Sequence, residues 1–143
     1  MKKLLILPIL AMSLFACNMA SQEDYDNMAK DMCGCVEESL EGMSDRGKQI
    51  MEDSDGDDVK MQEDFMAYMI EDSEGAEADM MVLGKMRLSL TSCGEKLEKK
   101  YDDVYSNESE DEIMKKLVEA VNNLDDGCKI TKILINAGYE ASK

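Results

Sequence analysis

One proline, Pro8, occurs in the 143 residues, so nothing after residue 8 carries the fixed φ and missing N–H that break a helix. Apolar residues use that freedom with helical spacing. Tyr25, Met28, Ala29, Met32, Val36, Leu40 and Met43 step by three and four and fall on one helical face. Leu83, Met86, Leu90, Cys93, Leu97, Tyr101 and Val104 form a second seam, and Ile113, Leu117, Val121 and Leu124 a third. Met, Leu, Glu, Lys and Ala, all good helix formers, dominate. No long run alternates with period two, so no strand is expected. The expected fold is all-α: an antiparallel helical bundle of about four helices plus a short C-terminal helix.

Caps and glycines set the expected boundaries. A first helix spans about Glu23 to Met43, followed by a loose segment around Gly42, Ser44 and Gly47 with a short turn at Lys48–Met51. Glu52–Asp58 reads as an acidic loop. A second helix covers about Val59 to Asp72; Met61, Phe65, Met66, Tyr68, Met69 and Ile70 lie nearly all round it, which predicts burial on most sides. Gly75 marks a break before a long third helix, about Ala76 to Tyr105, in which Gly84 and Gly94 imply close packing. Ser109 and Glu112 form a capping-box pattern that starts the fourth. Asp125-Asp126-Gly127 breaks or kinks it, and Cys128 to Ala137 forms the last helix, stopped at Gly138.

The chain opens with Lys2 and Lys3, then an apolar stretch from Leu4 to Phe15, too short to span a membrane and suited to a secretory signal. It ends Leu14-Phe15-Ala16-Cys17. This resembles the bacterial lipobox, with an aliphatic residue at −3, a small residue at −1 and then the cysteine. The resemblance covers the leader and implies three things: removal of residues 1–16 by the lipoprotein signal peptidase, diacylglycerol on the Cys17 sulfur, and acylation (palmitate) of the new amine. Two or three acyl chains anchor firmly where one does not. Asn18 leans towards the outer membrane, since in lipoproteins of enteric type aspartate there implies inner-membrane retention. The expected organisation is a signal peptide at 1–16, a lipidated tether at 17–22 and one helical domain at 23–143.

Without Lys2 and Lys3 the formal charge of −16 becomes −18. Such a surface repels nucleic acid, so no nucleic-acid partner is expected. Histidine is absent, which removes Ser-His-Asp and Cys-His catalysis within this chain. No glycine-rich loop follows a strand, so nucleotide cradles have no support. Asp53, Asp55 and Asp57 cluster hard oxygens that suit calcium, but no EF-hand register fits: with Gly56 at position six, Met51 stands first and Gln62 twelfth. Methionines Met28, Met32, Met66, Met69 and Met86 fall on apolar faces and read as core filler before they read as soft copper ligands. No cofactor is expected.

Cys33, Cys35, Cys93 and Cys128 remain after Cys17, an even set that in an exported domain reads as two disulfides. Residues two apart on a helix point about 200° apart, so Cys33 and Cys35 do not pair with each other. Measured from Tyr25, they border the apolar stripe at about +80° and about −80°. Each faces a different neighbour, one carrying Cys93 and the other Cys128, in an order left open. Cys93 and Cys128 would otherwise lie some 9–10 Å apart along the bundle, so either the first helix crosses at an angle or the chain turns near Gly127, and the turn is expected. Gly34, Gly94 and Gly127 each stand beside a cysteine, where a missing side chain would ease bridging.

The chain is thus expected to be a non-enzymatic envelope lipoprotein, held to the membrane through Cys17, with a binding or structural role and room for an envelope protein partner. The remainder resembles, in general terms, small helical cysteine-containing envelope lipoproteins. Two alternatives stand beside this reading: a metal-binding protein taking calcium or copper, and a thiol oxidoreductase using Cys33 and Cys35.

Overall fold

The computed structural model describes residues 20–143; the leader and Cys17 lie outside the described residues. The described chain is all-helical. In order come α1 (Gln22–Ser39), α2 (Asp45–Ser54), α3 (Asp58–Glu71), α4 (Ser73–Lys100), α5 (Asp102–Asn107), α6 (Glu110–Asn122), a 3-10 turn (Asp126–Cys128) and α7 (Lys129–Ala141). The expected count of four helices plus one is therefore too low among the described residues.

Helix α1 starts at a capping box: the Ser21 hydroxyl accepts from the Asp24 N–H, while the Asp24 carboxylate accepts from the Ser21 N–H at 2.8 Å. The box of Ser109 and Glu112 starts α6 as expected. The turn expected at Lys48–Met51 is instead the middle of a full helix, α2, capped by Ser44. The acidic loop shrinks to a tight turn in which Asp55 and Gly56 both take positive φ, 50° and 84°. Gly56 also lies against α7, where an added Cβ would meet Ala137 at 3.3 Å. The break expected at Gly75 falls at Asp72, whose carboxylate accepts from the Gly75 N–H and caps α4. The long helix ends at Tyr101 and resumes as the short α5. Gly138 does not stop the last helix, which runs on to Ala141.

Pairings between helices fix their directions. Cys35 joins Cys93, and Asp31 meets Lys100 and Tyr101, so α1 and α4 run antiparallel. Helix α6 packs on α1, with Lys116 over the Tyr25 ring. The α2–α3 hairpin packs on the first part of α4, and α7 closes over α1, α2 and α6. Three apolar clusters result. Tyr25, Met28, Leu97, Val104, Ile113, Leu117 and Val121 fill the first, against which Ala20 packs. Val36, Leu40, Met43, Met51 and Met86 fill the second; Ile50, Phe65, Tyr68 and Ala76 fill the third.

Two burial expectations fail. Helix α3 buries Phe65 and Tyr68, but Met66 is 66% exposed and Ile70 is 86% exposed. Its neighbours α2 and α4 cover one side and nothing among the described residues covers the other. Met66 and Met69 are accordingly surface residues, whereas Met28 and Met86 are core. Glycines 34, 84, 94 and 127 also meet no neighbour within 4 Å of an added Cβ, so close packing does not explain them. The tightest approaches are at Gly47 and Gly75, each in the first turn of a helix.

Candidate functional site

The cysteines gather the molecule about α1. Cys33 bonds Cys128 with Cα atoms 5.6 Å apart, and Cys35 bonds Cys93 at 6.1 Å. A 3-10 turn at Asp126–Cys128 stands where the turn near Gly127 is expected. Cys33 and Cys35 thus belong to separate bridges and do not form a vicinal redox pair. A cleft of about 290 Å³ opens beside Cys128, between Val36, Leu40, Lys48, Glu52 and Thr131. A wider groove of about 620 Å³ runs past Cys35 and Cys93 between Glu38, Leu88, Ser92 and Lys96.

Asp53, Asp55 and Asp57 do not converge. Asp53 lies in the last turn of α2, Asp55 is its left-handed C-cap, and Asp57 is the N-cap of α3, its Oδ1 accepting from the Val59 and Lys60 N–H groups at 2.9 and 3.1 Å. Among the described residues no three His, Cys, Asp or Glu side chains are grouped to hold a metal ion.

Asp31 and Glu108 instead bind side chains of neighbouring segments. Asp31 accepts from Lys100 and, at 2.7 Å, from the Tyr101 hydroxyl; burial works to raise its pKa, but these donors bring it below the ordinary carboxylate range. Glu108 is 5% exposed and pairs with Lys116, whose hydrogen bond holds the Glu108 carboxyl low. The Tyr25 hydroxyl and Glu108 Oε1 are both buried with no hydrogen-bond partner of normal geometry among the described residues. Burial and the neighbouring Glu108 carboxylate together raise the Tyr25 phenol well above its ordinary pKa. The Ala20 backbone also stabilises the Glu108 charge, so the chain enters the domain at this pole.

Both carboxyls titrate lower in the folded chain than in the unfolded one. Their contribution to stability is present above the unfolded pKa and is lost as pH falls through the folded pKa. Denaturant titrations from pH 7 down to pH 3 are expected to show declining stability, and the combination of Glu108→Gln with Asp31→Asn to flatten the acid limb. An acid limb of unchanged slope in that double variant would show that these two groups do not set it.

A third feature is the outer side of α3. Val59, Met66 and Ile70 are spaced by seven and four residues, so they share one stripe, and all three are exposed, with Met69 alongside. Sequence reasoning missed this stripe because it assigned every apolar residue of α3 to a core. The signal available was its continuity into acidic neighbours on both sides, Asp57-Asp58 and Glu71-Asp72. Compared with family models, with curated proteins and with solved structures, the chain matches none.

Proposed function

We propose that the protein is a lipid-anchored protein of the cell envelope that acts by binding or as a structural element and not as an enzyme. The observation that carries this reading is the leader, an apolar run closed by Leu14-Phe15-Ala16-Cys17. Two disulfides support it, because such bonds persist in oxidising compartments outside the cytoplasm. No described helix is long and apolar enough to cross a membrane, and the attachment we propose is the lipid on Cys17. Asn18 directs the proposal to the outer membrane. As an architecture, we read α1, α4, α6 and α7 as the four helices of a bundle, with the α2–α3 hairpin set on one end.

The test is fractionation of cells expressing the chain. Wild-type protein is expected in the membrane fraction, released by detergent but not by salt, with a blocked amino terminus. Cys17→Ser is expected to free the protein into the soluble fraction or to leave it unprocessed. Wild-type protein found wholly soluble with a free amino terminus would overturn the proposal.

A further inference from the structure

The outer face of α3 presents Val59 at 66%, Met66 at 66% and Ile70 at 86% exposure, an apolar stripe that no described part of the chain covers. Large apolar side chains grouped and exposed on one helix face can mark an interaction site. Its surroundings are acidic. Residues 57–77 contain eight carboxylates and one cation, Lys60, and that cation is bound to Asp64 at 2.8 Å. Asp58, Glu63, Glu74 and Glu77 have no ion-pair partner among the described residues, and Glu63 stands on the stripe itself.

This charge selects the occupant. A second copy would bring two acidic faces together, and an anionic lipid surface would be repelled in the same way. The position of the face also disfavours lipid. The chain enters beside Glu108, at the Tyr101 end of α4, while Phe65 and Tyr68 pack level with Ala76. The 25 residues from Ala76 to Tyr101 correspond to about 38 Å of helix. Ala20 follows Cys17 by three positions, a reach of at most about 10 Å.

We infer that the outer face of α3 docks a cationic amphipathic helix of a partner protein, its apolar side on Val59, Met66 and Ile70 and its lysines or arginines against Glu63 and the flanking carboxylates. Helix-to-helix docking of this type reads apolar anchors at three-, four- and seven-residue steps, the spacing this stripe offers. The inference deepens the binding role proposed above and rests on the anchor only for the distance of the face from the membrane.

The probe is a fluorescein-labelled leucine–lysine amphipathic helical peptide, titrated by anisotropy against the full protein purified from whichever fraction holds it, membrane or soluble, in one zwitterionic detergent. Binding is scored whether or not the protein fractionates with membranes, so a failure here and a failure of the anchor are separately visible. The combination of Met66→Gln with Ile70→Gln, which leaves net charge unchanged, is expected to weaken binding at least tenfold. Leu88→Gln, at a 74% exposed position on α4, is expected to change it less than twofold. Glu63→Gln is expected to weaken binding and to reduce its salt dependence. These side chains are exposed, so circular dichroism should show all variants folded. Equal binding by all variants would mean diffuse charge attraction and would overturn the inference. No binding by wild type would overturn it too. So would a dimer that the Met66 and Ile70 changes dissolve, or capture of anionic vesicles through the same residues.

Discussion

Reduction of both disulfides is expected to remove most of the stability of the fold. The loops are nested: Cys35–Cys93 spans 58 residues inside the 95 spanned by Cys33–Cys128, so 37 remain free once the inner loop is closed. Under the loop-entropy model each successive closure contributes about 4 kcal/mol, and measured values are commonly about 2–4. A domain of this size has about 5–15 kcal/mol in total. Urea titrations with and without a phosphine reductant are the measurement, and a fall in midpoint of about 2 M or more is expected. Replacing Cys33 and Cys128 together by serine should give roughly half that fall. An unchanged midpoint on full reduction would show that helix packing alone sustains the domain.

The second large effect is expected at Asp79, a carboxylate 1% exposed on α4. Its Oδ1 accepts from the Ser44 N–H at 2.8 Å and its Oδ2 from the Ser44 hydroxyl at 2.5 Å. The same hydroxyl oxygen accepts from the Gly47 N–H at 3.0 Å, so one acid secures the start of α2 to α4. Negative charge at a helix start is further favoured by the helix dipole. Asp79→Ala leaves donors without an acceptor and is expected to cost about 2–4 kcal/mol. Asp79→Asn keeps an acceptor and should cost less. Gly47→Ala would place a Cβ 2.4 Å from Asp79 Oδ2 and is expected to cost about 2 kcal/mol or more. The two changes should couple: Gly47→Ala should be milder once Asp79 is alanine, although Met43 still crowds the site at 2.9 Å. Strict additivity in denaturant unfolding would refute this account of the contact.

Local signals in the sequence carried the helices that packing does not redirect. Ser109 with Glu112, and the seams of α1, α4 and α6, lie where their spacing puts them. The opposed faces of Cys33 and Cys35 followed from helix geometry alone, and the partners are on the sides that geometry requires. Glycine was the main source of error. Gly47 and Gly75 looked like breaks, yet each stands three residues after its cap, in Ser44-x-x-Gly47 and Asp72-x-x-Gly75, where the cap side chain accepts from the glycine N–H. Glycine is needed there because Asp79 in one case and the Tyr68 hydroxyl in the other occupy the space of a Cβ. Those neighbours are 32 and 7 residues away, and only the tertiary fold brings the first one close. The exposed face of α3 was hidden for the opposite reason. Hydrophobicity shows that a side chain favours leaving water and does not show whether this chain supplies the cover.

If the chain is exported as proposed, the nesting of the two bridges orders its maturation. A polypeptide that crosses a membrane amino terminus first presents Cys33 and Cys35 together, then Cys93, and Cys128 only near the end. When Cys93 arrives, two thiols compete for it, and only the bond from Cys35 is native. A wrong bond from Cys33 to Cys93 leaves Cys35 free to attack it, through the thiolate exchange that rearranges disulfides. The correct inner loop leaves Cys33 waiting for a partner in the last stretch of the chain. Maturation therefore completes only when residue 128 has emerged. A chain ending before it should keep an alkylatable thiol at Cys33, a chemical mark that separates unfinished molecules from finished ones.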